Sequence, residues 1–100
     1  MKQINNKLLY DMLSRLQDFK NEKIRIRRLI DDLESLFNLL GDNINDQNWE
    51  NDFLSTWGIL EDEYSSLLFN NKTKFDDKQW DSIVNAVLKL EKIVHSKVIF

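Results

Sequence analysis

The stretch that decides the fold is residues 29–64, LIDDLESLFNLLGDNINDQNWENDFLSTWGILEDEY. Apolar residues recur every three or four positions on both sides of a central polar segment, which is the spacing of two amphipathic helices. The polar segment, residues 41–48, is rich in glycine, aspartate and asparagine, which favour turns. Gly41 predicts the C-terminal cap of the first helix, and Asp46 predicts the N-terminal cap of the second.

The same helical periodicity continues towards both ends of the chain, and no proline forces a helix to stop. We expect a turn near residues 21–25, because Asn21 disfavours helix and two β-branched isoleucines follow it. The alternative is one continuous helix, because apolar residues from Met12 to Leu40 repeat in steps of three and four. The sequence predicts an all-α, up-and-down four-helix bundle, with helices at about 5–20, 25–40, 46–69 and 77–95.

The composition narrows the classes of function. With 100 residues, the chain is long enough for one domain over 1–100 and one hydrophobic core, which leaves little room for a deep substrate chamber. It has no cysteine and a single histidine, His95, so neither a thiolate metal site nor a paired-histidine site can be built. No glycine-rich phosphate loop is present either. We therefore expect no catalytic residue, no metal and no cofactor.

The charge is unevenly distributed along the chain. The net charge is −3, but residues 41–70 carry seven acidic side chains and no basic one. Clustered carboxylates attract basic surfaces and repel nucleic acid over about a Debye length, roughly 8–10 Å at physiological salt. The wheel of the third helix puts acidic residues on both shoulders of its apolar stripe, where they serve either as a docking surface for a basic partner or simply to keep the domain soluble. The candidate partner-binding residues are Asp42, Asp46, Glu50, Asp52, Glu61, Asp62 and Glu63.

The aromatic residues follow the core spacing of their helices. Aromatic side chains at helical intervals usually pack inside a fold, so we expect core positions rather than a ligand cage. The residues expected in the core are Trp49, Phe53, Trp57, Tyr64 and Trp80.

A basic cluster between Lys20 and Arg28 is the one candidate for a nucleic-acid patch. Acidic neighbours in the sequence can neutralise it, and the domain is acidic overall, so we expect ion pairs within the chain and no nucleic-acid partner. The first residues lack the long apolar run of a signal peptide or a membrane helix. We expect a cytoplasmic protein without a membrane partner.

The run from Leu29 to Tyr64, and especially Trp57-Gly58-x-Leu60-Glu61-x-x-Tyr64, resembles small helical immunity proteins of bacterial contact-dependent growth inhibition and other polymorphic toxin systems. The resemblance covers about 36 residues and carries no catalytic signature. It implies a cytoplasmic antidote that binds a toxin domain, often a nuclease, and blocks it without performing chemistry. No individual toxin-contacting residue follows from it.

A second class of function competes with this interpretation. A structural or adaptor module could self-associate through the apolar stripe of residues 12–40, with no toxin partner. We expect a monomer or a weak homodimer. An enzyme has the weakest claim, because no carboxylate pair is predicted inside the core.

Overall fold

The computed structural model describes residues 2–99, except for the side chains of residues 2–4 and 42. This part of the chain contains four α-helices and no strand. The predicted limits agree within one residue, apart from the first helix, which begins earlier than expected. The helices are α1 (Lys2–Lys20), α2 (Ile26–Leu40), α3 (Gln47–Phe69) and α4 (Asp77–His95), with a 3₁₀ turn at Gly41–Asn43.

The helices form the predicted four-helix bundle. Each helix packs against the next one in the chain, and α1 also packs against α4, so the four form a closed ring. The rings of Phe19, near the end of α1, and Trp80, near the start of α4, lie 6.3 Å apart. At the other end, the side-chain amide of Asn6 exchanges two hydrogen bonds with the backbone of Ile99. These contacts show that α1 and α4 run in opposite directions, as an up-and-down bundle requires.

The turn between α1 and α2 lies where it was predicted, which rules out one continuous helix over residues 5–40. The turn is formed by the backbone conformation of one residue and by two backbone hydrogen bonds. Glu22 has a positive φ of 61°. The N–H of Glu22 bonds the carbonyl of Phe19, and the N–H of Lys23 bonds that of Asp18, at 3.0 and 2.8 Å. This pair of bonds is a Schellman motif, in which backbone N–H groups of the turn bind the carbonyls of Asp18 and Phe19 at the end of α1.

The predicted caps are confirmed. Gly41 has a φ of 51° and donates its backbone N–H to the carbonyl of Phe37 at the end of α2. The carboxylate of Asp46 accepts the N–H of Trp49 at 3.1 Å, which satisfies one of the free donors at the start of α3. Asp76 and Gln79 form a reciprocal capping box at the start of α4.

The centre of the core is aromatic. Phe53 is fully buried, with its ring 4.9 Å from that of Phe37 and 5.6 Å from that of Trp49. Trp57 and Tyr64 are half-buried and pack against the core. The expectation for Trp80 is wrong, because 42 % of this residue is exposed. Trp80 lies at the edge of the bundle, where its ring contacts those of Phe19 and Phe75 and not the rings at the centre of the core.

Candidate functional site

The acidic residues of α3 share one rigid element. The helix runs for 23 residues without a break. From Glu50 to Glu63 it spans about 20 Å at a rise of roughly 1.5 Å per residue. The acidic side chains are thus attached at fixed intervals along one helix. We call these residues the acidic face: Glu50, Asp52, Glu61, Asp62 and Glu63.

The acidic face wraps around the outer side of α3. Glu50 and Glu61 lie on the flank of the helical wheel that also carries Trp57, whose indole bonds the backbone of Ile30 in α2, so these two carboxylates border α2. Asp52 and Glu63 lie on the opposite flank, next to α4, and Asp62 points outward. Asp52, Glu61 and Asp62 are exposed, and Glu50 and Glu63 are half-buried.

No basic side chain in the described part of the structure forms an ion pair with the acidic face. Every ion pair there involves a carboxylate elsewhere, such as Arg15 with Asp32 at 3.3 Å or Arg28 with Asp32 at 3.0 Å. Unpaired carboxylates at the surface keep their negative field directed into solvent, where a cationic partner can meet it. The acidic face is therefore an electrostatic surface with no counterpart in the described remainder of the chain.

Asp46 has a different role from the acidic face. One of its carboxylate oxygens accepts the backbone N–H of Trp49, and the other accepts Nζ of Lys97 at 2.5 Å. These two hydrogen bonds, that of Lys97 above all, lower the pKa of Asp46 below its ordinary value. The carboxylate thereby joins the start of α3 to the residues that follow α4. The side chain of Asp42, the other candidate near the turn, lies outside the described residues.

The basic cluster is partly neutralised by ion pairs within the chain, but among the described residues only Arg27 and Arg28 pair with the acidic sequence neighbours that were expected to do so. Lys20 Nζ lies 3.0 Å from a carboxylate oxygen of Glu91, and Arg28 bonds Asp32 on the next turn of α2. Arg27 approaches Asp31 only to 3.9 Å. Arg25 forms no ion pair with any of the described acidic side chains.

An apolar groove that was not predicted from the sequence lies at the end of the bundle that carries the α1–α2 turn and the α3–α4 loop. Its volume is about 970 Å³. The sequence does carry a signal for this groove. On a helical wheel of α4, the apolar residues from Leu90 to Leu88 cover about 160°, which is wider than the stripe that one helix needs to bury in a core. Part of this apolar surface of α4 therefore has to lie outside the core. The apolar lining includes Phe19, Ile24, Phe75, Trp80, Val84 and Leu88.

Over 2–99, no three histidine, aspartate or glutamate side chains come together as metal ligands would. Within the same range, every helix is too short or too polar to pass through a lipid bilayer.

Comparisons with protein-family models, with curated proteins and with solved structures found no match to this chain. The resemblance around Trp57 to Tyr64 therefore stays a prediction.

Proposed function

We propose that this chain is an immunity protein, which binds a bacterial toxin domain in the cytoplasm and neutralises it with the acidic face of α3. The toxin is of the nuclease class, because a nuclease must present a cationic site to hold phosphates. Carboxylates laid over that site or the groove beside it exclude the nucleic acid. The inhibitor itself performs no chemistry.

The observation that carries this proposal is the set of unpaired carboxylates on a continuous helix. Because the continuous helix already sets the spacing of these residues, little backbone ordering is needed when a partner binds, which favours affinity. Opposite charges on two proteins also steer their encounter, raising association rates to as much as about 10⁸–10⁹ M⁻¹s⁻¹ at low salt. An antidote benefits from that speed, because the toxin acts as soon as it is free.

The burial of the 12–40 stripe argues against the adaptor hypothesis in the form given above. Met12, Leu16 and Leu33 are completely buried in the chain's own core, and Leu40 is almost so. These side chains cannot pair with another molecule unless the bundle opens. A self-associating module would have to use a different surface.

Protection of cells tests the proposal. The domain encoded immediately upstream of this chain's gene is expressed in bacteria alone, with the wild-type chain, or with a variant carrying Asp52→Lys, Glu61→Lys and Asp62→Lys. These three residues are exposed, so their reversal leaves the core intact. We expect the wild-type chain to restore growth and the variant to fail.

A matched control separates the acidic face from total charge. Asp31→Lys, Glu34→Lys and Asp81→Lys change the net charge equally at exposed positions on α2 and α4. This control variant should still protect. The proposal is wrong if the upstream domain is not toxic, if the wild-type chain gives no protection, or if both variants protect equally.

A further inference from the structure

The groove at the end of the bundle is a surface that the proposed function does not use. It lies between the turn joining α1 to α2 and the loop joining α3 to α4, and it opens to solvent along one side of α4. Aromatic rings form one wall, with Phe75 packed edge-on against Trp80 at 5.4 Å. The acidic face belongs to a different set of residues, none of which lines the groove.

Three residues on successive turns of α4 show that the groove is unfilled. Trp80, Val84 and Leu88 are 42, 48 and 45 % exposed. Positions i, i+4 and i+8 form a continuous strip along a helix, about 12 Å long at roughly 1.5 Å per residue. An apolar strip of this kind, rimmed by polar residues, is typical of a protein interaction site. It matches the anchor spacing of a second helix laid alongside.

The rim of the groove identifies the charge of the occupant. Among the described residues, four basic residues line it and one acidic residue, Glu22, does so. Lys20 is already paired with Glu91, whereas Arg25 and Lys74 have no acidic partner among the described side chains. Both are exposed. A rim of this composition attracts carboxylates and repels a basic partner. The four basic residues are Lys20, Arg25, Arg27 and Lys74.

We propose that the groove binds an amphipathic helix of a partner protein, whose apolar side covers Trp80, Val84 and Leu88 and whose flanks carry aspartate or glutamate facing Arg25 and Lys74. A second copy of this chain fits less well. In a two-fold dimer the same surface meets itself, so the two basic rims would face one another. The proposal goes beyond the toxin-binding function and stands on other residues.

A displayed peptide library provides the test. The peptides are helix-forming, with apolar residues fixed at the i, i+4 and i+8 positions and with flanking positions randomised among glutamate, glutamine and lysine. Selection on the full-length wild-type chain should enrich glutamate at the flanks. The enriched peptide should bind with an affinity that falls as salt is raised.

Two variants locate the binding. Arg25→Glu with Lys74→Glu should weaken binding of the enriched peptide by about tenfold or more, because two attractions become repulsions. Lys89→Glu, an exposed reversal on α4 outside the groove, should leave the affinity unchanged. Circular dichroism of each variant should match the wild-type spectrum.

Three results would overturn the proposal. One is selection without enrichment, or with lysine enriched at the flanks. Another is equal binding to the Arg25/Lys74 double variant and the wild-type chain. The third is a dimer of the wild-type chain in sedimentation that Trp80→Glu abolishes, because the occupant would then be a second copy. None of these outcomes bears on protection from a toxin, which depends on the acidic face.

Discussion

The indole Nε1 of Trp57 donates a hydrogen bond to the backbone carbonyl of Ile30 at 3.0 Å, and this bond ties the middle of α3 to α2. Near the start of α3, the indole of Trp49 makes the corresponding bond to the carbonyl of Ile93 in α4, at 2.8 Å. The two tryptophans lie on opposite flanks of α3, so together they prevent the helix from rotating about its axis. The direction in which the acidic face points is therefore fixed by the fold.

Two substitutions of Trp57 separate the contribution of ring packing to stability from that of the indole hydrogen bond. Trp57→Phe keeps an aromatic ring but loses the donor, and should lower the free energy of unfolding by about 1 kcal/mol from the bond alone. Trp57→Ala removes the ring as well, and should cost roughly 3 kcal/mol, at the lower end for large core residues because Trp57 is half-buried. Urea unfolding of both variants measures the two steps. An unchanged midpoint for Trp57→Ala would show that the ring does not support the core.

The two glycines should respond to alanine in opposite directions. Gly58 lies inside α3, where an added Cβ meets nothing within 4 Å. Gly58→Ala should therefore stabilise by about 0.5–1 kcal/mol, because alanine favours helix. Gly41 has equally open surroundings but a φ of 51° with ψ of −137°. Gly41→Ala should destabilise by about 1–3 kcal/mol through backbone strain alone.

Thermal unfolding of the two alanine variants beside the wild-type chain checks this pair. A stabilising Gly41→Ala would mean that the end of α2 does not need a positive φ. A destabilising Gly58→Ala would mean that the outer side of α3 is covered by something at that position.

Replacing a buried aromatic residue, Phe53, with alanine should lower stability more than replacing an exposed one, Trp80. Phe53→Ala empties a fully buried site and should cost about 3–5 kcal/mol. Trp80→Ala should cost clearly less, although tryptophan is larger, because Trp80 is substantially exposed at the groove. Denaturant midpoints of the two variants give the comparison. Equal losses would place Trp80 in the core after all.

The carboxylate of Asp46 should make stability depend on pH in acid. Its pKa is lowered in the folded chain from an ordinary value of 3.8. Its contribution is therefore fully present above about pH 4 and is lost as the pH falls through the lowered folded value. Asp46→Asn retains a capping side chain but loses the charge facing Lys97, so its stability deficit should be largest near neutral pH and vanish in strong acid.

Lys97→Met provides the control for this titration. Methionine keeps much of the side-chain length but cannot donate to Asp46, so the pKa of Asp46 should rise towards its ordinary value. A carboxyl titration by NMR measures the change directly. An unaltered titration curve would show that Lys97 does not hold the carboxylate.

The four helices could be predicted from the sequence because each carries its own apolar period and its own ending. The caps at Gly41 and Asp46 depend on local chemistry, and both were identified from residue type. The ending of α1 was placed correctly for an incomplete reason, since Glu22 adopts a positive φ without any residue signature for it. The contacts that join distant parts of the chain, such as Asn6 with Ile99, have no local signal and could not be foreseen.

The residues of the candidate site were predicted from the sequence, but their contacts with distant parts of the chain were not. Residue counting located the acidic segment, and the helical wheel placed its carboxylates on the flanks of α3. The wheel could not show that Asp46 is bound by Lys97, because that contact joins residues 51 positions apart. Nor could it show which part of the wide apolar arc of α4 the neighbouring helices leave uncovered. That depends on how the helices diverge at the end of the bundle.

The role of the acidic face is tested most directly by the rate at which the chain associates with its proposed toxin, the domain encoded immediately upstream, measured by surface kinetics at several salt concentrations. For the wild-type chain we predict rapid association that slows steeply as salt is raised. For the Asp52, Glu61 and Asp62 reversal we predict slow association with little salt dependence, while the Asp31, Glu34 and Asp81 control stays close to the wild type. Equal rates and equal salt dependence for the two variants would contradict the account.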